Sequence, residues 1–293
     1  MAILAFAETR ILVHGIENPL ARFQCEEMLR HGTKLTGIVA AEPGDTEQWH
    51  APNIPVFQTA RDAMASVRAD LSMVFSPPYA VRSEVSDAIA AAIPIVVCLT
   101  EHVPLHDAVL IRHLAKRAGV TLIGPNSSGV LSPGCAKAGF FVEDICLPGN
   151  VGVITKSGSL AYAVLAEMKS AGIGISTVVA IGGDVVKGTD FREHLGLFQG
   201  DPETQAIVLL GEIGGSDEEN AAAFIRDTAI TKPVVAFVSG RSVPPGQTMG
   251  HAGAIAERGR GDYQSKCSAL AAAGVHVAHN IGEIPHLLKL LAR

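Results

Sequence analysis

The sequence predicts an α/β chain in two halves, a Rossmann-like N-terminal one and a flavodoxin-like C-terminal one, both with parallel sheets. Three observations carry that expectation. Short β-branched runs alternate with Ala-rich helical stretches from end to end. The 30 glycines sit mostly where apolar runs stop, as strand-to-helix turns require, and with 48% hydrophobic but 5% aromatic residues the packing falls to small side chains. At 293 residues the chain exceeds one ordinary domain of roughly 100–200 residues, and each half can bury its own core.

In the first half the predicted strands are Arg10–His14, Lys34–Val39, Leu71–Phe75, Ile95–Leu99 and Val120–Ile123. Thr59–Arg68, Ser83–Ala92 and Pro104–Ala118 show the amphipathic spacing of helices laid on a sheet. From residue 125 to residue 149 the rhythm stops in a stretch rich in Gly, Pro and Ser, which reads as a crossing segment between a domain at 1–124 and another at 150–293. The second series has strands at Val151–Ile154, Ser176–Ala180, Ala206–Leu210, Val234–Val238 and Val275–Ala278. Its helices fall near Ser159–Ala171, Ser216–Asp227, Asp262–Ala273 and Ile281–Leu291.

Charge and composition exclude several classes. With 23 basic against 29 acidic residues the formal net charge is −6 and no basic block could track a phosphate backbone, so nucleic acid is not an expected partner. No apolar run approaches the ~18 residues of a membrane helix, and MAILAFAETR lacks the pattern of a signal peptide, which together predict a cytoplasmic protein without a membrane partner. Five cysteines, odd in number and without a C-x-x-C pair, suggest neither a disulfide framework nor a metal site.

Ligands of open parallel sheets bind beyond the carboxyl ends of the strands, so the chemistry is expected in those turns. The familiar signatures are missing there. Lys156 and Ser157 lack the glycine that a phosphate-binding G-x-x-x-x-G-K-S/T loop places before its lysine, and His14-Gly15-Ile16-Glu17-Asn18-Pro19 is not a G-x-G-x-x-G. Neither G-x-S-x-G nor H-E-x-x-H occurs. A dehydrogenase, a P-loop enzyme, a serine hydrolase and a zincin are disfavoured.

Three turns of the second half could act together. Gln247–Ile255 surrounds His251 with Gly and Ala, leaving room for a bulky group on a neutral imidazole nucleophile; a loop histidine bonded to backbone is the plainer alternative. Ser157, Gly158 and Ser159 join a strand to the helix carrying Tyr162 and could hold an anion at the helix N-terminus, or simply cap it. Glu212 ends a central strand, where a carboxylate needs a partner: it could orient the imidazole, or cap a neighbouring helix.

Taken in order, IGPNSSGVLSPG, VGVITKSGSLAYAV, AIGGDVVKGTDF, DPETQAIVLLGEIGGSDEE, KPVVAFVSG and MGHAGAI resemble the α subunit of succinyl-CoA synthetase over nearly the whole chain. The relatives of that NDP-forming acid–CoA ligase family include malate–CoA ligases and the CoA-ligase half of ATP-citrate lyase. The resemblance implies a Rossmann-like CoA-binding domain followed by a flavodoxin-like ligase domain. It also implies a partner, an ATP-grasp β subunit in an αβ or α2β2 assembly, which binds ATP or GTP with Mg²⁺ and explains the missing nucleotide motif here. A phosphoryl group would pass from nucleotide to His251, then to a small di- or polycarboxylic acid, and coenzyme A would displace it from the acyl phosphate.

By the same resemblance Glu212 holds the imidazole ring, Ser157 to Ser159 face the phosphate, and Tyr162 lies near the acid, a half-buried helix aromatic being its plainer alternative. Ser76, Pro77, Pro78, Leu99, Thr100, Glu101, Asn126 and Ser127 match turns that contact CoA. The departures lie in the first half. Where the family has a Gly/Ser/Thr-rich loop over CoA, this chain has Glu17-Asn18-Pro19-Leu20-Ala21-Arg22, and Glu42-Pro43-Gly44-Asp45 occupies the region of a lysine after the second strand. Glu17 would face a polyphosphate unfavourably, with Arg22 placed to take over a phosphate contact. Those departures motivate one alternative, a non-catalytic CoA- or nucleotide-sensing homologue.

Overall fold

The computed structural model describes residues 3–40, 43–46, 49, 53–228, 230–244, 246–255 and 261–291. Six parallel strands form the first sheet: β1 (Arg10–His14), β2 (Lys34–Val39), β3 (Val56–Phe57), β4 (Leu71–Val74), β5 (Ile95–Cys98) and β6 (Thr121–Ile123). Their spatial order, β3-β2-β1-β4-β5-β6, is that of a doubly wound dinucleotide-type sheet, with its switch point between β1 and β4. β4 is buried at every position and β1 at all but its first residue, because helices cover both faces.

Those helices are α1 (Pro19–Arg30), α2 (Ala60–Ser66), α3 (Val81–Ala90) and α4 (Leu105–Ala118). The periodicity of the sequence does not predict α1. Its inner face buries Ala21, Gln24, Cys25 and Met28, but Leu20, Phe23 and Leu29 are exposed on the outer side and blur the apolar stripe. Local chemistry starts it all the same: Asn18 accepts from the Leu20 N–H at 2.9 Å and Pro19 fills the first turn.

The second sheet has seven strands in the order β13-β12-β11-β9-β10-β7-β8. β9 (Pro148–Thr155), β10 (Ile175–Ala180), β11 (Ala206–Glu212), β12 (Val234–Ser239) and β13 (His276–Ala278) run parallel, in the order expected of a flavodoxin-like sheet. α5 (Gly158–Ser170), α6 (Phe191–Gly200), α7 (Asp217–Asp227), α8 (Tyr263–Ala272) and α9 (Glu283–Leu291) pack against them. The expectation of a parallel sheet holds for these five strands and stops at β10. There β7 (Gly129–Ser132) and β8 (Ala136–Gly139), drawn from the stretch where the β-α rhythm fails, add an antiparallel hairpin and make the sheet mixed. The link Pro133-Gly134-Cys135 is too short for a crossover, so the strands can only return antiparallel.

α6 also escapes the sequence pattern, since Gly196 and Gly200 depress its helix propensity. It forms because Phe191, His194, Leu195 and Phe198 share a buried face and because Asp190 and Glu193 make a capping box. One apolar core joins residues of both sheets, from Ile11, Val13 and Met73 to Ile154, Val179 and Leu209. Among the described residues no helix is long and apolar enough to cross a membrane.

Candidate functional site

β11 ends on Glu212, whose carboxylate meets the His251 ring: Oε2 lies 2.8 Å from Nδ1. A carboxylate only accepts, so Nδ1 is the protonated nitrogen and Nε2 keeps its lone pair. The hydrogen bond to Glu212 raises the histidine's pKa above its ordinary 6.5, and partial burial opposes the rise. The loop bearing the ring is held by its own backbone, with the Met249 N–H on the Ala254 carbonyl at 2.9 Å and the Ala254 N–H on the His251 carbonyl at 3.1 Å. Fully buried Ala254 packs with Ile213 and anchors that loop beside β11.

Gly183 forms a wall of the ring. A Cβ there would lie 2.6 Å from the His251 Cγ and Cδ2, so glycine is what lets the imidazole lie against the backbone. The stretch from Gly182 to Gly188 is fastened to the exit of β6: Gly183 N–H donates to the Asn126 carbonyl at 3.1 Å and Gly188 N–H to the Gly124 carbonyl at 2.8 Å. The fit is backbone on backbone, since added Cβ atoms at Gly182 and Gly188 would each fall 2.1 Å from a carbonyl oxygen, of Pro125 and Leu122.

Below Glu212 lies a buried ionic network that the sequence pattern does not reveal. The Glu212 N–H donates to Glu218 Oε1 at 3.0 Å, and Lys156 Nζ stands 3.1 Å from that oxygen and 3.1 Å from Asp217 Oδ2. Lys187 reaches the same Asp217 oxygen at 2.9 Å, while Lys266 pairs with Glu218 and, at 3.1 Å, with Glu219. Burial alone would lower the Lys156 pKa, but Glu218, Asp217 and Glu212 outweigh it and the pKa rises. Burial likewise pushes Asp217 up, and Lys156 and Lys187 pull it to about 2. In sequence, Asp217-Glu218-Glu219 is an acidic first turn that suits the dipole of α7, which hides its second use. The recoverable signal was Lys156, a charge at the end of a buried strand.

A cavity of about 820 Å³ opens on these groups, with Lys156, Asp184, Lys187, Glu212, Asp217 and Gly253 among its walls. A second, of about 710 Å³, lies at the carboxyl ends of the first sheet. It gathers Ser76, Pro77, Pro78, Leu99, Thr100, Glu101, Asn126 and Ser127, all the residues that sequence motifs assign to one ligand, together with Glu17 and Asn18. Thr100 Oγ1 donates to the Ser76 carbonyl at 2.7 Å, tying two of those turns. Arg22 Nη1 donates to the carbonyls of Ile16 and Glu17 at 3.2 and 2.8 Å, so it braces the first turn from within. Of the segment after β2, Glu42 lies outside the described residues.

Ser157, Gly158 and Ser159 stand between the two cavities. The neighbouring Lys156 walls one, and Gly158 packs on Ser128 of the other, where a Cβ would fall 2.0 Å from Oγ. Ser157 caps α5 by accepting from the Leu160 N–H at 3.4 Å, a contact of the kind that contributes about 1 kcal/mol. Tyr162 is placed differently from an open ligand contact: its hydroxyl donates to the Phe140 carbonyl at 2.7 Å and its ring packs beside Phe141.

Two family models match the chain, a CoA binding domain over residues 6–102 and a CoA-ligase over residues 154–276. The chain is 44% identical to the succinate–CoA ligase (ADP-forming) subunit alpha 2 of Archaeoglobus fulgidus, over 98% of this chain and 99% of that one. It is 38% identical to a subunit of the ADP-forming sulfoacetate–CoA ligase of Bilophila wadsworthia, over 99% of each. Among solved structures it is similar to the ATP citrate lyase of Methanothrix soehngenii in complex with citrate and coenzyme A, with a TM-score of 0.87 and 25% identity. That likeness covers 99% of this chain and 50% of the longer one.

Proposed function

Because this chain belongs to the succinate–CoA ligase α-subunit family, we propose that it is the α subunit of a nucleotide-dependent acid–CoA ligase that works through a phosphohistidine on His251. The observation that carries this reading is the Glu212–His251 contact at 2.8 Å, which protonates Nδ1 and leaves Nε2 as the nucleophile. Nε2 attacks the γ-phosphorus of ATP or GTP, a P–N bond forms and the P–O bond to the nucleoside diphosphate breaks. A carboxylate oxygen of a small di- or polycarboxylic acid then takes the phosphoryl group, giving an acyl phosphate. The CoA thiolate attacks the acyl carbon and inorganic phosphate leaves.

The nucleotide and its Mg²⁺ belong to an ATP-grasp β subunit, in an αβ or α2β2 assembly, and the reaction takes place in the cytoplasm. Residues 1–124 serve CoA and residues 150–293 serve the phosphoryl relay, with 125–149 joining them. The cavity that gathers Ser76, Pro77, Leu99 and Thr100 supports the first assignment, and Asn126 and Ser127 of the joining segment complete its wall. The intact pair of Glu212 and His251 favours this reading over a CoA- or nucleotide-sensing protein without catalysis.

Incubation with the β partner, Mg²⁺ and labelled ATP is expected to leave one acid-labile, base-stable phosphate on the chain. The true acid plus CoA, found from a panel of small carboxylic and sulfonated acids, should discharge it. His251→Asn should abolish label and turnover while assembly survives. Label on a serine, or an active His251→Asn enzyme, would overturn the relay.

A further inference from the structure

We propose that Lys187 and Asp217 are positioning residues for the phosphoryl-accepting imidazole: their ion pair clamps the 182–188 loop onto α7, so that Gly183 is held as the wall on which the His251 ring rests. The inference deepens the phosphohistidine reading and rests on it.

The loop is tied to the exit of β6 at its two ends, through Gly183 and Gly188. Asn126 Nδ2 also holds Asp184 Oδ1 at 3.0 Å, while the middle of the loop projects outward, with Val185 64% exposed. Lys187 adds the restraint that ties this loop to α7. Its Nζ reaches back to the Asp184 carbonyl at 3.2 Å and forward to Asp217 Oδ2 at 2.9 Å, bracing the loop against the first turn of α7.

The same turn of α7 holds the other side of the imidazole. Glu218 accepts from the Glu212 N–H at 3.0 Å, and Lys156 bridges Glu218 and Asp217 at 3.1 Å each. One helical turn thus sets the partner that orients Nδ1 and, through Lys187, the backbone wall behind the ring. Two short restraints from one rigid element fix the ring's rotation better than either alone. The Lys187 side chain is 9% exposed, and a lysine so deeply placed costs stability unless it is paired, which makes a role for the pair more economical than chance.

The test uses the chain assembled with its β partner and follows phosphorylation of His251 from labelled ATP in a single turnover. Lys187→Met should slow phosphorylation tenfold or more with the ATP concentration for half-saturation unchanged, and Lys187→Arg, which can remake the ion pair, should restore the rate. Ring ¹⁵N shifts of His251 should show a single Nδ1-protonated tautomer in the wild type and in Lys187→Arg, and tautomer averaging in Lys187→Met. If Lys187→Met fails to assemble, Asp217→Asn carries the same comparison. An unlabelled wild-type His251 overturns the phosphohistidine reading. A labelled wild type with Lys187→Met within twofold of it and the same tautomer overturns the clamp. So does a slow Lys187→Met that arginine leaves unrescued and whose thermal midpoint has fallen, because the pair then serves folding alone.

Discussion

Asn126 Nδ2 donates to Asp184 Oδ1 at 3.0 Å, and with that bond a residue lining the second cavity grips a residue lining the first. The gripped loop is also the one that touches the His251 ring. The second cavity and the imidazole are therefore neighbours through a single hydrogen-bonded loop, even though Asn126 and His251 are 125 positions apart in sequence.

Gly183→Ala is expected to displace the imidazole without unfolding the chain. The new methyl would meet ring atoms at 2.6 Å, and a partly exposed side chain yields more readily than backbone. The phosphorylation rate should fall at least tenfold while urea unfolding changes by less than about 1 kcal/mol. An alanine variant phosphorylated at the wild-type rate would show that the ring does not use this wall.

Phosphorylation should depend on pH through His251. Its pKa is raised above 6.5, first by the hydrogen bond to Glu212, and only the neutral ring attacks, so the rate should climb as pH passes through that raised value. Glu212→Gln removes the principal raising cause: the inflection should move down towards 6.5, and the plateau should fall by about 10²-fold for loss of an orienting acid. Stability should move the other way. The Glu212–His251 pair stabilises the fold fully below pH 6.5, and that contribution is lost as pH rises through the folded-state pKa. A pH–rate profile of the two proteins, with thermal midpoints at each pH, checks both signs.

Much of this site is legible in the sequence, and the remainder is hidden for physical reasons. His251, Glu212 and the turn at Ser157 stand out because small residues around an imidazole, and a charge ending a buried strand, each demand an explanation. The turns of the second cavity are equally readable, since strand ends bring them together in any doubly wound sheet. Lys187 and Asp217 give no such sign. One lies in an irregular loop and the other reads as an ordinary helix start, and only the fold puts them 2.9 Å apart. The helix Pro19–Arg30 is obscured by the exposed Leu20, Phe23 and Leu29, and the hairpin at 129–139 by strands of four residues each.

Glu17→Thr should tighten CoA. Glu17 lines the second cavity beside Asn18 and Ser76, where a polyanion would meet its carboxylate. Removing one solvent-screened like charge should improve affinity by no more than about 1 kcal/mol, and the gain should shrink as salt is raised. Calorimetry at two ionic strengths tests this; unchanged or weaker binding would place the CoA phosphates away from the first turn.

Lys266→Met should destabilise the whole chain. Lys266 is fully buried and shared between Glu218, Glu219 and the Gly215 carbonyl, so its removal takes a cation from both acids and leaves Lys156 to balance the buried Glu218. A cost of about 3–5 kcal/mol is expected from chemical denaturation. Pairing it with Glu218→Gln should cost less than the two changes summed, because the second relieves what the first exposes.

The seam at Gly182 and Gly188 sets how the two halves can move. Main chain lies there on the carbonyls of Pro125 and Leu122, with the Leu122 side chain against Gly188, and so close a fit leaves the joint little room for hinging or sliding. A phosphorylated ring and an incoming thiol would meet across a fixed gap, and any travel in the cycle would fall to the histidine loop, the bound acid or the partner protein. New acid preferences could then arise by changing the partner or the outer turns, while this joint stays as it is.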